Sequence, residues 1–305
     1  MAFASALKNR LYRVAMRLHL PLGLMLRGVA AAETLQMAPS ALRRRLAARR
    51  LLAGAPQWRG FVGRENGCRT FEAGTLPGTD EIVALCRRLV EERRNKARKI
   101  KRAEGNPFDM LLDREVFEAH PELVRFAVSE PLAAIAADYF GTTPRLDYID
   151  LWVSSPAKNK EHLYNSQLYH IDKVDHGILT LFLAIEPIDE TSGPFTLMPA
   201  GPSGVVRRAT NYARTYLFGS GRLTDEEVYA AADPAQAVSI VGPAGAGGFC
   251  DTGRCFHFGS RCQDKERIVL AIRYYPAEHS RPSAYRTFRD VVTPQTEAQA
   301  LLLAP

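Results

Sequence analysis

Long apolar runs are missing from this chain. None approaches the ~18 residues expected of a membrane-spanning helix, and the longest early candidate, Leu20 to Leu26, is flanked by Arg17, His19 and Arg27. Cysteine is sparse: Cys68, Cys86, Cys250, Cys255 and Cys262 form an odd set with no CxxC knuckle. That pattern argues against a disulfide framework and a structural zinc site, and points to a reducing, cytoplasmic setting. Internal repeats and low-complexity tracts are lacking too. Histidine is limited to His19, His120, His162, His170, His176, His257 and His279, so any imidazole-based metal site must draw on these seven.

Acidic residues are nearly absent from the first sixty positions, where eleven Lys/Arg face Glu33 alone. The formal charge of +7 therefore divides into +10 for residues 1–60 and, by subtraction, −3 for residues 61–305. The basic balance describes an N-terminal arm and not the ligand of the main domain. A solvated basic face is the plain reading of such an arm, and weak membrane-surface contact through residues 1–60 is the other. Nucleic acid is not expected as a partner. The remainder of the chain is slightly acidic, and the basic second half of "TDEIVALCRRLVEERRNKARKIKRAEG" has no interleaved aromatics to stack on bases.

What is present is an ordinary globular composition, 305 residues with 46% hydrophobic and 24% charged, long enough to bury a core without staples. Residues 5–54 read as helices broken near Pro21 and Pro39, the last of them stopped by Gly54. A helix is expected from Thr79 to Gly105, and two shorter ones in "PELVRFAVSEPLAAIAADYFG". After Pro144 the texture changes. "RLDYIDLWVSS", "GILTLFLAIEPI", "AVSIVG", "GGFCD" and "RIVLAIRYYP" are β-branched or aromatic runs bounded by turn residues, joined by wide loops without alternating helices. The expected class is mainly β with helical additions. The expected organisation is a basic helical extension over residues 1–60, a main domain over 61–290 and a tail over 291–305. The main domain divides into a helical lead-in, 61–145, and a β core, 146–280.

Chemistry concentrates in "YHIDKVDHGILTLFLAIEP", where His170, Asp172, Asp175 and His176 crowd ahead of an uncharged run. His170 and Asp172 are two apart, so on a strand both side chains point to one face. A lone His-x-Asp is a weak signal whose plain reading is a buried histidine bonded to a neighbouring aspartate, and His176 is an alternative to His170. The Gly-rich lead-in "GPAGAGGFCDTGRCFHFGS" brings His257 onto a later strand. Two histidines and one carboxylate on one face leave coordination positions open, the arrangement of non-haem Fe(II) oxygenases. Arg267, ten residues on, opens an apolar strand where an unpaired charge is costly. A guanidinium there can grip a carboxylate through two parallel hydrogen bonds. The distal carboxylate of 2-oxoglutarate is the natural partner, and Arg273 on the same strand is the alternative.

"SQLYHIDKVDHGILTLFLAIEPIDETSGPFTLMPAG" followed by "GGFCDTGRCFHFGSRCQDKERIVLAIRYYP" resembles the phytanoyl-CoA dioxygenase-like branch of the Fe(II)/2-oxoglutarate dioxygenases, over roughly residues 146–276. The resemblance implies a double-stranded β-helix (jelly roll) core packed against N-terminal helices. It implies His170, Asp172 and His257 as iron ligands, Arg267 as the 2-oxoglutarate anchor, and Thr180 and Gln167 as further cosubstrate contacts. It also implies O2-dependent hydroxylation of an unactivated C–H in a small organic, acyl or natural-product substrate, with release of succinate and CO2. Asp172 favours hydroxylation or desaturation, since halogenating relatives carry a small residue there. "MPAGPSG" departs from the pattern by lacking the His that often follows Pro-Gly-Ser. The competing expectation is a non-catalytic or cupin-type metal-binding protein that ignores 2-oxoglutarate.

Overall fold

The uncharged run after Gly177 becomes strand β4, Leu179–Ala184, buried at every position, because both of its faces are covered. The computed structural model describes residues 38–94, 107–156, 163–172, 177–277 and 288–304. Residues 1–37, residues 95–105 of the helix expected from Thr79 to Gly105, and Asp175 and His176 lie outside them. β4 sits near the middle of a six-stranded sheet, all of whose pairings are antiparallel, in the order β1-β7-β4-β9-β3-β2. The other members are β1 (Cys68–Phe71), β2 (Asp109–Met110), β3 (Arg145–Ser154), β7 (Gly247–Asp251) and β9 (Arg267–Tyr275). A second antiparallel sheet of three strands, β6-β5-β8, comprises β5 (Phe195–Leu197), β6 (Val238–Ile240) and β8 (His257–Phe258).

The period-two alternation of strands sorts the side chains. Leu179, Leu181 and Leu183 of β4 join Ile149, Leu151, Phe249, Leu270 and Ile272 in the large core shared with the helices. Each such leucine contributes about 1.5–3 kcal/mol on burial. Phe182 of β4 instead joins Phe195, Leu197, Ile240, Cys250 and Ala271 in a smaller cluster drawn from both sheets. The long sheet therefore has helices on one face and the short sheet on the other, and Arg267 and Arg273 of β9 lie on the inner face, opposite to Ile268, Leu270 and Ile272.

The covering helices are α1 (Ala38–Gly54), α2 (Thr79–Arg93), α3 (Arg114–Ala119), α4 (Glu122–Ala127) and α5 (Glu130–Phe140). α5 buries a nearly continuous stripe, Leu132 to Ala137, and is ended by Gly141 in the left-handed region at φ 69°. α1 packs against α5. Its Arg44 is buried and donates to the carbonyls of Thr143 and Pro144 just before β3, at 3.0 and 3.1 Å.

Three further helices, α6 (Ala200–Ala209), α7 (Tyr212–Phe218) and α8 (Asp225–Tyr229), connect β5 to β6, where the sequence reads as wide loop. "AGPSGVVRRA" holds two glycines and a proline, which signal turns, yet Pro202 falls in the first turn of α6, where a missing N–H costs no hydrogen bond. A final helix, α9 (Glu297–Leu302), packs on α1, where Glu297 pairs with exposed Arg43 and Arg50.

Candidate metal centre

His170 and His257 are brought face to face by the backbone. Each donates its N–H to the other's carbonyl at 3.0 Å, an isolated antiparallel bridge, so their rings emerge on the same side with centroids 4.2 Å apart. Each ring also places Nδ1 2.9 Å from a carbonyl two residues earlier, Leu168 for His170 and Cys255 for His257. With Nδ1 as donor, both Nε2 atoms keep their lone pairs for a metal. Asp172, held by its N–H on the carbonyl of Thr252 at 2.9 Å, puts Oδ1 3.7 Å from each Nε2. One ligand atom from each of the three lies within 4.8 Å of the others, the one such group of His, Cys, Asp or Glu among the described residues.

The electrostatics suit ligation. Burial, reinforced by His257 and Arg222, pushes His170 down to about 3, so the ring is neutral at pH 7. For Asp172 burial pulls upward, but the hydrogen bond and charge of His257 and the charge of Arg273 outweigh it and hold the carboxyl well below the usual range. Phe195 stacks on the His257 ring at 5.1 Å and on Phe182 at 3.9 Å, closing the apolar side.

Arg267 stands on the same inner face, on β9. It is 3% exposed. Its Nη2 donates to Ser260 Oγ at 2.8 Å and to Ser154 Oγ at 3.3 Å. Nε and Nη1 are buried with no hydrogen-bond partner among the described residues. Gly259 makes room for the guanidinium, since a Cβ there would sit 2.6 Å from Nη1. Burial lowers Arg267 to about 10, which still leaves it cationic at neutral pH. A buried cation without a counter-charge costs several kcal/mol. Thr180 Oγ1 and Trp152 Nε1 are likewise buried and unpartnered among the described residues. Orphaned donors on the inner wall fit an anionic, acceptor-rich ligand, as a dicarboxylate would be.

Gln167 lies beside this end, with both ends of its amide engaged: Nε2 donates to Ser260 O at 2.8 Å and Oε1 accepts from Tyr164 N at 3.2 Å. Arg273 is occupied elsewhere, by Asp147 and Asp172. The five cysteines are free thiols, and none joins the metal group.

Several supporting residues carry no motif. Tyr212 of α7 accepts from the amide of Ile171 at 3.0 Å and donates to Gly221 O at 2.7 Å, bracing the segment between the two ligands. Arg261 lies over the Phe258 ring at 3.3 Å, pairs bidentately with Asp225 of α8 at 2.7 and 2.8 Å, and donates to Gln167 O. Buried Asp251 accepts from the amides of Ile178 and Gly253 and from Tyr139 Oη, which fixes the entry to β4. No pattern at fixed spacing announces these contacts, because they join loops far apart in the chain.

No family model matches the chain, and no curated protein matches it. Among solved structures it is similar to the non-heme alpha ketoglutarate dependent carbocyclase SnoK from nogalamycin biosynthesis, at 20% identity over 76% of this chain and 89% of that one, TM-score 0.50. It is also similar to EctD from S. alaskensis with 2-oxoglutarate and 5-hydroxyectoine, at 14% identity over 79% and 84% of the two chains, TM-score 0.49. The non-heme alpha ketoglutarate dependent epimerase SnoN aligns at 17% identity over 74% and 87%, TM-score 0.47. The chain shares its fold with SnoK, and on that fold it carries a His170–Asp172–His257 metal-binding triad.

Proposed function

We propose that this chain is a non-haem Fe(II)/2-oxoglutarate-dependent oxygenase of the phytanoyl-CoA dioxygenase-like kind. Its substrate is a small organic, acyl or natural-product molecule hydroxylated at an unactivated C–H. The observation that carries the reading is the pairing of three metal-ligand atoms within 4.8 Å of one another with a buried guanidinium that has two unpartnered nitrogens among the described residues. The two sheets are read as the double-stranded β-helix implied by the sequence.

In this reading His170, Asp172 and His257 would hold the metal and leave coordination positions open. The Nδ1 contacts to Leu168 and Cys255 keep both rings in the ligating tautomer. Arg267, whose Nε and Nη1 are unpartnered among the described residues, would receive the distal carboxylate of 2-oxoglutarate on its guanidinium, with Ser154 and Ser260 orienting it through Nη2. Thr180 Oγ1 supplies a further donor, and Gln167 positions Ser260 through its amide. Phe182 and Phe195 exclude water from the apolar side. When bound, Fe(II) and 2-oxoglutarate supply the oxidative chemistry with O2, yielding succinate, CO2 and the hydroxylated product.

The test is succinate release by iron-loaded protein incubated with metabolite pools, with and without 2-oxoglutarate. Release that needs 2-oxoglutarate and is stimulated by one pool is expected. Substrate turnover without 2-oxoglutarate, or no succinate from any pool, contradicts the proposal.

A further inference from the structure

Building on the oxygenase reading, we propose that Arg273 is a positioning residue that holds the metal carboxylate of Asp172 to a single ligating oxygen. The two oxygens of Asp172 are already divided. Oδ1 stands 3.7 Å from Nε2 of both histidines, whereas Oδ2 accepts from Arg273 Nη1 at 3.3 Å. The backbone of Asp172 is fixed through its amide on Thr252 O and its carbonyl accepting from Tyr216 Oη at 3.4 Å. Among the described residues, the carboxylate's only ion pair outside the two histidines is with Arg273.

Arg273 is itself anchored. It sits on β9 opposite Thr180 of β4 and Tyr148 of β3. Its Nε donates to Asp147 Oδ2 at 3.0 Å, and its Cζ lies 4.1 Å from the Tyr148 ring centroid and 5.5 Å from that of Tyr275. A regular strand would turn Asp147 away from the face that carries Tyr148. The β3–β9 register shifts between Leu146 and Tyr148, and a bulge re-aims a side chain in this way. The irregularity falls at the residue whose carboxylate meets Arg273.

The consequence is for coordination number. A carboxylate free at both oxygens can chelate a metal and occupy an additional position. With Oδ2 bound to Arg273, Asp172 would take one position and leave the remaining ones free. Groups that orient a ligand from outside typically change metal affinity by about 10–100-fold when removed.

Cobalt(II) alone, without 2-oxoglutarate, is the probe, titrated into the full chain and into Arg273→Gln, Arg273→Lys and Asp147→Asn, following affinity and the visible d–d absorption. Arg273→Gln and Asp147→Asn are expected to weaken Co(II) binding by about 10–100-fold and to change the band shape. Arg273→Lys, which restores charge without the planar fork, should fall between. Asp147→Asn keeps the volume of a residue remote from the metal, so the test stands if Arg273→Gln does not fold. Unaltered affinity and spectrum in the folded variants overturn the proposal. So does a variant whose Co(II) binding is normal while 2-oxoglutarate binding to the Co(II) form collapses, which would make Arg273 a cosubstrate contact. Failure of the unmodified chain to bind Co(II) instead overturns the metal centre, and this inference with it.

Discussion

Under the proposed function, Arg267 is the residue on which cosubstrate recognition turns. Its serine contacts occupy only Nη2, and its remaining buried donors face no acceptor among the described residues. Arg267→Ala is predicted to leave metal binding intact and to weaken 2-oxoglutarate by about 2–5 kcal/mol, the range for removing one partner of a desolvated charge pair. Titration of 2-oxoglutarate into the metal-loaded variant measures it, and normal binding would move the assignment away from Arg267. The spacing His-x-Asp, the later His257 and the strand-leading Arg267 were legible in the sequence because each obeys a local rule. The engagement of Arg273 by Asp147 and Asp172 was not, since it depends on a bulge that no side-chain pattern announces. Arg273, the alternative anchor in the sequence, is only 21% exposed and already paired with two carboxylates.

At the scale of elements, β8 and its exit place the two ends of the site. His257 opens the strand, and Gly259 just beyond it lets the Arg267 guanidinium lie against the backbone. Gly259→Ala is predicted to displace the flexible guanidinium, weakening 2-oxoglutarate roughly tenfold, or about 1.4 kcal/mol, with metal affinity and thermal midpoint nearly unchanged. Equal losses in metal and cosubstrate binding would show that the substitution disturbs the whole strand instead. β3, β4, β7 and β9 announced themselves as apolar runs bounded by turn residues. β1, β2 and β5 did not, being two to four residues long, too short for a periodicity to register. α6 was hidden by its glycines and proline, and α7 and α8 by their shortness; they show their purpose only in three dimensions, where Tyr212, and Asp225 through Arg261, buttress the segments bearing His170 and Gln167.

For the whole molecule, the arginine-rich approach to the main domain is partly structural. Arg44 is buried and closes on two carbonyls ahead of β3, while Arg43 and Arg50 tie α1 to α9. The exposed pairs contribute little, about 0–1 kcal/mol each. Arg44→Ala, which leaves two carbonyls without their charged donor, is predicted to destabilise the fold by about 1.5–3 kcal/mol, read from urea denaturation. An unchanged midpoint would mean α1 is not integral to the core. Charge counting alone could not separate a buried arginine from a solvated one, because burial is decided by α5 and α9, which lie far along the chain. No helix among the described residues is long and apolar enough to cross a membrane. The central claim, that one interior holds Fe(II) and 2-oxoglutarate together, is tested most directly by anaerobic titration of the full chain with Fe(II) and then 2-oxoglutarate. A weak visible charge-transfer band that saturates at one equivalent, and is lost in His170→Ala and Asp172→Ala, is predicted. Absence of the band in the unmodified protein, or its persistence in both variants, would contradict the account.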